Sequence, residues 1–166
     1  MNNIFTILST LSSRACRGIF MSIILLAASC EKYEDGRPSK DVRSEFERMY
    51  PKAWDVEWER MGEYWEVTFE TGSRPDGTEH KAWYDKGGNW IQTVTDVLLS
   101  SVPQEIKNYL QESEYGTAQF EDYDAEYFET QSGGAFYRFD LIAGGREIEV
   151  DVTLNGEVTP AQYGYF

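Results

Sequence analysis

The sequence carries the same order of elements twice. In each copy, a segment with helical spacing of apolar residues precedes several segments in which apolar and charged residues alternate. Residues 64–69 of the first copy match residues 136–141 of the second, since two aromatic residues come first and charged or polar residues then alternate with apolar ones. We interpret the copies as a duplicated unit with boundaries at 40–97 and 98–166, for which chance similarity is the alternative.

A helix is predicted at the start of each copy. Ser39 is expected to cap the first helix, and Pro51 follows its last turn. Ser101 is expected to cap the second helix, with Pro103 in its first turn. Each helix presents one narrow apolar stripe. The stripe residues are Val42, Phe46, Met49 and Tyr50 in the first helix and Ile106, Tyr109 and Leu110 in the second.

Strands with two-residue periodicity follow each helix. The third strand of the first copy is predicted at residues 80–85, where His80, Ala82 and Tyr84 share one face. Glycine turns at residues 87–89 and 155–156 each close a hairpin. The pattern predicts an α+β fold, in which helices pack on one face of an antiparallel β-sheet.

Residues 1–29 have the features of an export signal. Arg14 and Arg17 precede an apolar run that is too short to span a bilayer and that stops at Cys30. The segment resembles a bacterial lipoprotein signal, with the departure that Ala27 stands where a leucine is usual. A cut near Ala28 by an ordinary signal peptidase is the alternative. We expect a lipid-anchored protein of the cell envelope, periplasmic or surface-exposed at the outer membrane.

Residues 30–39 are polar and contain a glycine and a proline, so we expect them to form a tether. The acidic residues behind Cys30 also look like the surface-export signals of some Gram-negative lineages, although we favour a solvated linker on composition. Only Cys30 remains after processing, so the folded part contains no disulfide and must be stabilised by packing.

The chain is strongly acidic, with 29 Asp and Glu against 15 Lys and Arg. Loss of Arg14 and Arg17 with the leader lowers the net charge from -14 to -16. The sequence contains no basic stripe to neutralise phosphates, which excludes nucleic acid as a partner. We also exclude electrostatic attachment to anionic membranes, so any membrane contact should come through the lipid.

Few residues are suited to catalysis or metal binding. His80 is the only histidine, and the alternation along its strand places it on the same face as Ala82 and Tyr84, as expected of a structural residue in a sheet. No serine lies in a Gly-x-Ser-x-Gly elbow. Zinc requires several Cys or His ligands, which the folded part lacks. Asp122 and Asp124 could belong to a calcium or glycosidase site, but without a calcium-loop pattern we favour a solvated strand edge. We predict no catalytic residue, no metal site and no cofactor.

The export signal with Cys30, the two helix-plus-strand copies and the Asp-Lys-Gly-Gly-Asn turn at 85–89 together resemble the PepSY-like, β-lactamase-inhibitor-like family of secreted proteins. The resemblance covers residues 40 to 160. It implies an α+β fold with helices on one face of an antiparallel sheet and the opposite face open. The family has no common catalytic motif to carry over, and fold alone does not confer inhibition.

The open sheet face is the best candidate for a binding surface. If the alternate residues of each strand face the helices, aromatic side chains interleaved with charges lie on the reverse, as in protein-recognition surfaces. The candidate binding residues are Tyr64, Lys81, Trp83, Phe128, Phe136 and Arg138. Cross-strand aromatic pairs that only stabilise the sheet are the alternative.

We therefore expect a monomeric, non-catalytic envelope protein that binds an unidentified protein or peptide, in the manner of an inhibitor. The first alternative is a structural or glycan-contacting subunit of a surface assembly, because tyrosine and tryptophan also stack on sugars. A glycan hydrolase that uses a pair of acids is the less favoured alternative.

Overall fold

A computed structural model describes residues 32–33 and 36–161. In the first half, β1 (Lys32–Tyr33), α1 (Lys40–Met49), β2 (Trp54–Met61), β3 (Tyr64–Thr71), β4 (Thr78–Asp85) and β5 (Trp90–Leu98) follow one another. In the second half, the elements are α2 (Gln104–Glu112), β6 (Gln119–Phe120), β7 (Asp124–Thr130), β8 (Ala135–Ala143), β9 (Arg146–Thr153) and β10 (Val158–Pro160). None of the helices in these residues is long and apolar enough to cross a membrane.

The strands form one sheet in the order β1-β2-β3-β4-β5-β7-β8-β9-β10. Neighbouring strands are antiparallel except for β1, which runs parallel to β2. The short β6 pairs with the end of β8 that β7 leaves uncovered. Pairing of β5 with β7 joins the two halves. The predicted α+β fold is confirmed; the element order recurs in each half, and the superposition of the halves stays a prediction.

Helix α1 covers the first half of the sheet. Ser39 caps it as predicted, because its Oγ accepts a hydrogen bond from the Val42 amide at 3.3 Å. Phe46 is buried and meets Trp58 and Phe69 edge-on, at ring-centroid distances of 5.3 and 5.0 Å. Such edge-to-face contacts favour one arrangement of the rings, so Phe46 fixes the position of the helix on the sheet.

Helix α2 covers the second half, with Ile106 and Leu110 buried against β8 and β9. The expectation that Ser101 caps this helix is wrong. The Ser101 amide donates to the Leu98 carbonyl in the turn that ends β5, and the helix begins one residue after Pro103 without a side-chain cap. The ring of Pro103 fixes its φ at -53°, and its carbonyl accepts from the Ile106 amide.

The predicted glycine turns lie against the helices. Gly88 has a φ of +92°, and a Cβ atom there would lie 3.1 Å from the carbonyl carbon of Asp41 in α1. Gly156 has a φ of +91°, and a Cβ atom would lie 2.9 Å from the ring of Tyr109 in α2. The turn between β4 and β5 and the turn between β9 and β10 thus both need glycine, for the backbone conformation and because a helix lies so close.

Some of the described residues in the segment expected to be a tether pack against the folded part. Lys32 and Tyr33 pair with Glu57 and Trp58 of β2, and Tyr33 contacts the first core cluster. Pro38, just before α1, is buried. The composition of the segment indicated a free linker. The contacts that hold it join residues distant in sequence, so no pattern within the segment itself predicts them.

Candidate functional site

The face opposite the helices carries the candidate binding residues. Strand register places Trp83 beside Glu66 of β3 and Gln92 of β5, and Phe128 beside Val94 of β5 and Phe136 of β8. Cross-strand partners share a face, whereas Ala82 and Tyr84 belong to the cluster under α1. We call this surface the non-helix face.

The aromatic side chains at the centre of the non-helix face form a packed layer. Trp83 is 1% exposed and Phe128 is 2% exposed. Phe128 and Phe136 stack with centroids 4.6 Å apart and planes 9° from parallel. Val94 and Ile91 complete the cluster. The layer excludes water between β4 and β8 and stiffens this part of the sheet.

Arg138 lies over this aromatic layer. Its guanidinium carbon is 4.7 Å from the centroid of the Phe128 ring. Its Nε and Nη2 donate to the two carboxylate oxygens of Asp151 at 2.8 and 3.1 Å, and Glu149 lies 3.6 Å away. The two-point hydrogen bond orients the planar cation while the rings below it exclude water.

The structure therefore places the six candidate residues on the expected face but not in the expected environment. Trp83, Phe128 and Arg138 are buried, and the other three are half-buried. Tyr64 lies apart from the group, beside Met61 and Asp85. The rings were expected to form an exposed contact surface. Because two of the three aromatic residues at the centre are buried, they stabilise the face, and most of the surface that a partner could reach is made by the side chains around them.

Carboxylates dominate that reachable surface. From β2 to β9, the basic residues that register places on the non-helix face are Lys81 and Arg138. The acidic residues on the same face are Glu57, Glu59, Glu66, Glu70, Glu79, Asp85, Asp96, Asp124, Glu126, Asp140, Glu147, Glu149 and Asp151. From the sequence, we predicted that several of these acids face solvent but not that they lie together on one surface. The alternation of charged residues along each strand was the signal from which this could have been predicted.

Four pairs of these acids stand directly opposite one another on neighbouring strands. The pairs are Glu59 with Glu66, Glu70 with Glu79, Asp96 with Glu126, and Asp140 with Glu149. Like charges at directly opposite positions destabilise a sheet. The chain thus retains four acid–acid contacts on one face, and the two bases of that face, Lys81 and Arg138, offset three of them only in part.

In three of these pairs at least one acid has a raised pKa, and in the Asp96–Glu126 pair both acids do. Burial raises the pKa of Glu66 and of Glu126, and the neighbouring Glu59 and Asp96 add to the respective shifts. Crowding also raises the pKa of Asp140, first through loss of water around it and then through Glu149. Each shift means that the negative charge is held at a cost in free energy.

Replacing Asp140 by asparagine tests this cost. In the folded state Asp140 keeps its proton to a higher pH than in the unfolded chain, so its contribution to stability falls as pH rises through that window. We expect Asp140→Asn to raise the free energy of unfolding at pH 7 by up to about 0.5 kcal/mol, because the side chain is exposed. The gain should vanish below about pH 4. Urea denaturation at both pH values measures it, and a destabilised variant at pH 7 would show that the charge is favourable.

Two clefts open onto the acidic surface. One, of about 360 Å³, lies at the β8–β9 end and is lined by Glu121, Asp140, Glu147, Ile148, Glu149, Pro160 and Ala161. The other, of about 570 Å³, is lined by Gly77, Thr78, Glu79, Asp96, Val97, Leu98, Ser101 and Asp124. Leu98 and Ile142 add exposed apolar surface among the acids. Residues 32–33 and 36–161 contain no group of three or more potential ligands placed to hold a metal ion.

His80 lies on the helix side, away from the acidic surface. Its Nε2 is 2.8 Å from the Thr71 hydroxyl and its Nδ1 is 2.9 Å from the Thr95 hydroxyl. The ring stacks on Phe69, and burial lowers its pKa. The histidine therefore has the environment of a neutral structural residue. The other candidate residues are exposed, with Asp124 at the start of the interior strand β7 and Asp122 just before that strand.

Solved structures with the same architecture exist. A DUF2874 family protein from Bacteroides uniformis superimposes with a TM-score of 0.64 at 21% identity, over 78% of this chain and 94% of that one. A BLIP-like protein from Bacteroides fragilis superimposes with a TM-score of 0.61 at 20% identity, over 78% of this chain and 90% of that one. The chain has the BLIP-like fold. A candidate periplasmic protein from Bacteroides eggerthii shares it, with a TM-score of 0.63 at 18% identity over 78% and 94%.

The sequence matches no protein-family model and no curated protein. The BLIP-like fold confirms the part of the sequence resemblance that concerned architecture. The PepSY-like relationship and the lipid on Cys30 stay predictions.

Proposed function

We propose that this protein is a non-catalytic binding protein of the cell envelope, and that its non-helix face holds a cationic surface of a protein or peptide partner. The observation that carries the proposal is the set of four acid–acid pairs across neighbouring strands of that face. A fold under no functional constraint would gain stability by losing them.

Lysine and arginine side chains of a partner would relieve this repulsion. A positive group between Asp96 and Glu126, or between Asp140 and Glu149, would neutralise two carboxylates at once. The packed layer beneath keeps the sheet rigid, so few of these groups need to be ordered on binding. Leu98 and Ile142 would supply apolar contact beside the charges.

The comparisons support the class of function. The fold shared with the BLIP-like protein of Bacteroides fragilis is consistent with an inhibitor-like role here. The candidate periplasmic neighbour is consistent with an envelope location. We further propose that Cys30 carries the lipid anchor, that the protein is monomeric and that it uses no cofactor and binds no nucleic acid.

Protein binding is favoured over the two alternatives. Stacking on a sugar needs exposed rings, whereas Trp83 and Phe128 are buried. A hydrolase uses one acid pair within one cleft. Asp140 and Glu149 do line one cleft, but three further acid pairs recur along the face from β2 to β9, and a single catalytic pair does not explain them.

Capture of partners from envelope extracts, compared between two matched variants, tests the proposal. Asp96→Asn/Asp140→Asn removes two exposed charges from two of the acid pairs. Glu47→Gln/Glu112→Gln removes two exposed charges from the helices on the opposite side. We expect the first variant to bind a specific partner at least about tenfold more weakly, while it melts at or above the wild-type temperature. The helix variant should bind the partner as the wild type does. Equal loss in both variants, or none in the first, would contradict the proposal.

A further inference from the structure

We infer that the β1–β2 edge of the sheet faces the lipid bilayer, so that the anchored protein stands on this edge and its acid-rich second half points away from the membrane. The inference rests on the proposed lipid anchor at Cys30. It adds to that proposal the surface of the protein that meets the membrane.

Contacts of the N-terminal segment with the sheet are the first support. Lys32 forms an ion pair with Glu57 and lies 3.8 Å from Asp55, and its neighbour Tyr33 contacts the first core cluster. The Nε of Arg37 donates to the Tyr33 hydroxyl at 3.2 Å, and its guanidinium lies 5.4 Å from the ring centroid. The strand is therefore held by backbone pairing, charge and packing together.

The reach of the chain is the second support. One residue, Glu31, separates Cys30 from Lys32. An extended chain spans at most about 3.6 Å per residue, so the anchored cysteine lies within about 7 Å of the Lys32 Cα. A free tether over residues 30–39 would allow about 35 Å by the same measure. Pairing of β1 with β2 thus brings this edge to the membrane surface.

The distribution of charge is the third support. Residues 30–97 contain ten basic and sixteen acidic side chains, whereas residues 98–166 contain three and thirteen. Exposed bases lie at or near the anchored edge, namely Lys32, Arg37, Lys52 and Arg60, and they offset the exposed acids Asp55 and Glu59 of β2. The strand order places β10 eight strand spacings from β1, roughly 38 Å along the sheet. Anionic headgroups would repel the distant acidic half, so electrostatics favours the same orientation as the anchor.

An edge-on orientation leaves both faces of the sheet perpendicular to the membrane. The non-helix face is then open to a partner approaching from the side, and the bilayer covers only β1 and the outer edge of β2. The lipid determines attachment, and the strand pairing determines orientation.

Quenching of fluorescent labels by headgroup-nitroxide lipids tests the orientation. The full chain is expressed with its leader, purified in its mature lipidated form and placed in phosphatidylethanolamine–phosphatidylglycerol vesicles. An introduced cysteine is then the only free thiol, because Cys16 leaves with the leader and Cys30 is acylated.

Labels at Glu59→Cys on β2 and Thr159→Cys on β10 compare the two edges of the sheet, and both positions are exposed. We expect at least about fivefold stronger quenching at 59 than at 159. Similar quenching at both positions, or a mature Cys30 without lipid in the mass spectrum, would overturn the inference.

Two changes separate strand pairing from anchoring. Ten Gly-Ser residues inserted after Glu31 leave β1 intact but lengthen the reach by about 35 Å, and should abolish the difference in quenching. Tyr33→Pro removes an amide and a ring from β1 and should also reduce quenching at 59, with Lys40→Gln as a neutral control. A difference that persists in the insertion variant would contradict the role of the short reach. Neither change replaces a member of the four acid pairs, so partner capture should be retained in both, and failure of the orientation is distinguishable from failure of the binding proposal.

Discussion

Replacing Trp83 by alanine should lower the free energy of unfolding by about 3–5 kcal/mol. The indole is 1% exposed and lies in the packed layer of the non-helix face. Its removal leaves a cavity beside Val94 and removes the hydrogen bond from the indole to Glu66. Urea denaturation of the purified domain measures the loss.

Tyr64→Ala is the matched control on the same face. Tyr64 is half-buried and lies apart from the packed layer, so its removal should cost about 1 kcal/mol. If Trp83→Ala costs no more than Tyr64→Ala, the indole is a surface contact and the packed layer does not stabilise the fold.

Replacing Arg138 by methionine should also cost about 3–5 kcal/mol. Methionine fills similar space over Phe128 but leaves the half-buried carboxylate of Asp151 without the two hydrogen bonds that orient it. Loss of the cation also increases the net negative charge among Glu126, Asp140 and Glu149. The melting temperature should fall accordingly.

The double variant Arg138→Met/Asp151→Leu distinguishes a lost ion pair from lost packing. An apolar replacement of both partners of a buried ion pair is often neutral or stabilising, so most of the loss should be recovered. A double variant as unstable as the single one would mean that the guanidinium contributes through its contact with the rings rather than through Asp151.

The alternation of residues was sufficient to predict which face each strand residue occupies. His80, Ala82 and Tyr84 lie toward α1 and Trp83 lies on the reverse, because side chains on a strand alternate whatever its neighbours are. The Ser39 cap and the two glycine turns were also accessible, since each depends on contacts within a few residues.

Burial could not be predicted in the same way. Trp83 and Phe128 are covered because β5 pairs with β7 and brings the rings of both halves together, and strand order is a long-range property. The acid pairs likewise depend on register between strands rather than on spacing within one. Pairing of β1 with β2 joins residues 25 positions apart, and no local pattern indicates it.

Zero-length cross-linking most directly tests the claim that the non-helix face binds a cationic surface. A carbodiimide joins a carboxylate to a lysine amine where the two are in contact, so the linked peptides identify the acids at the interface with the captured partner. We predict links from the acids of the non-helix face, above all Glu66, Glu79, Asp96, Glu126, Asp140 and Glu149. Links confined to acids of the helices, such as Glu47, Glu105 and Glu112, would contradict it.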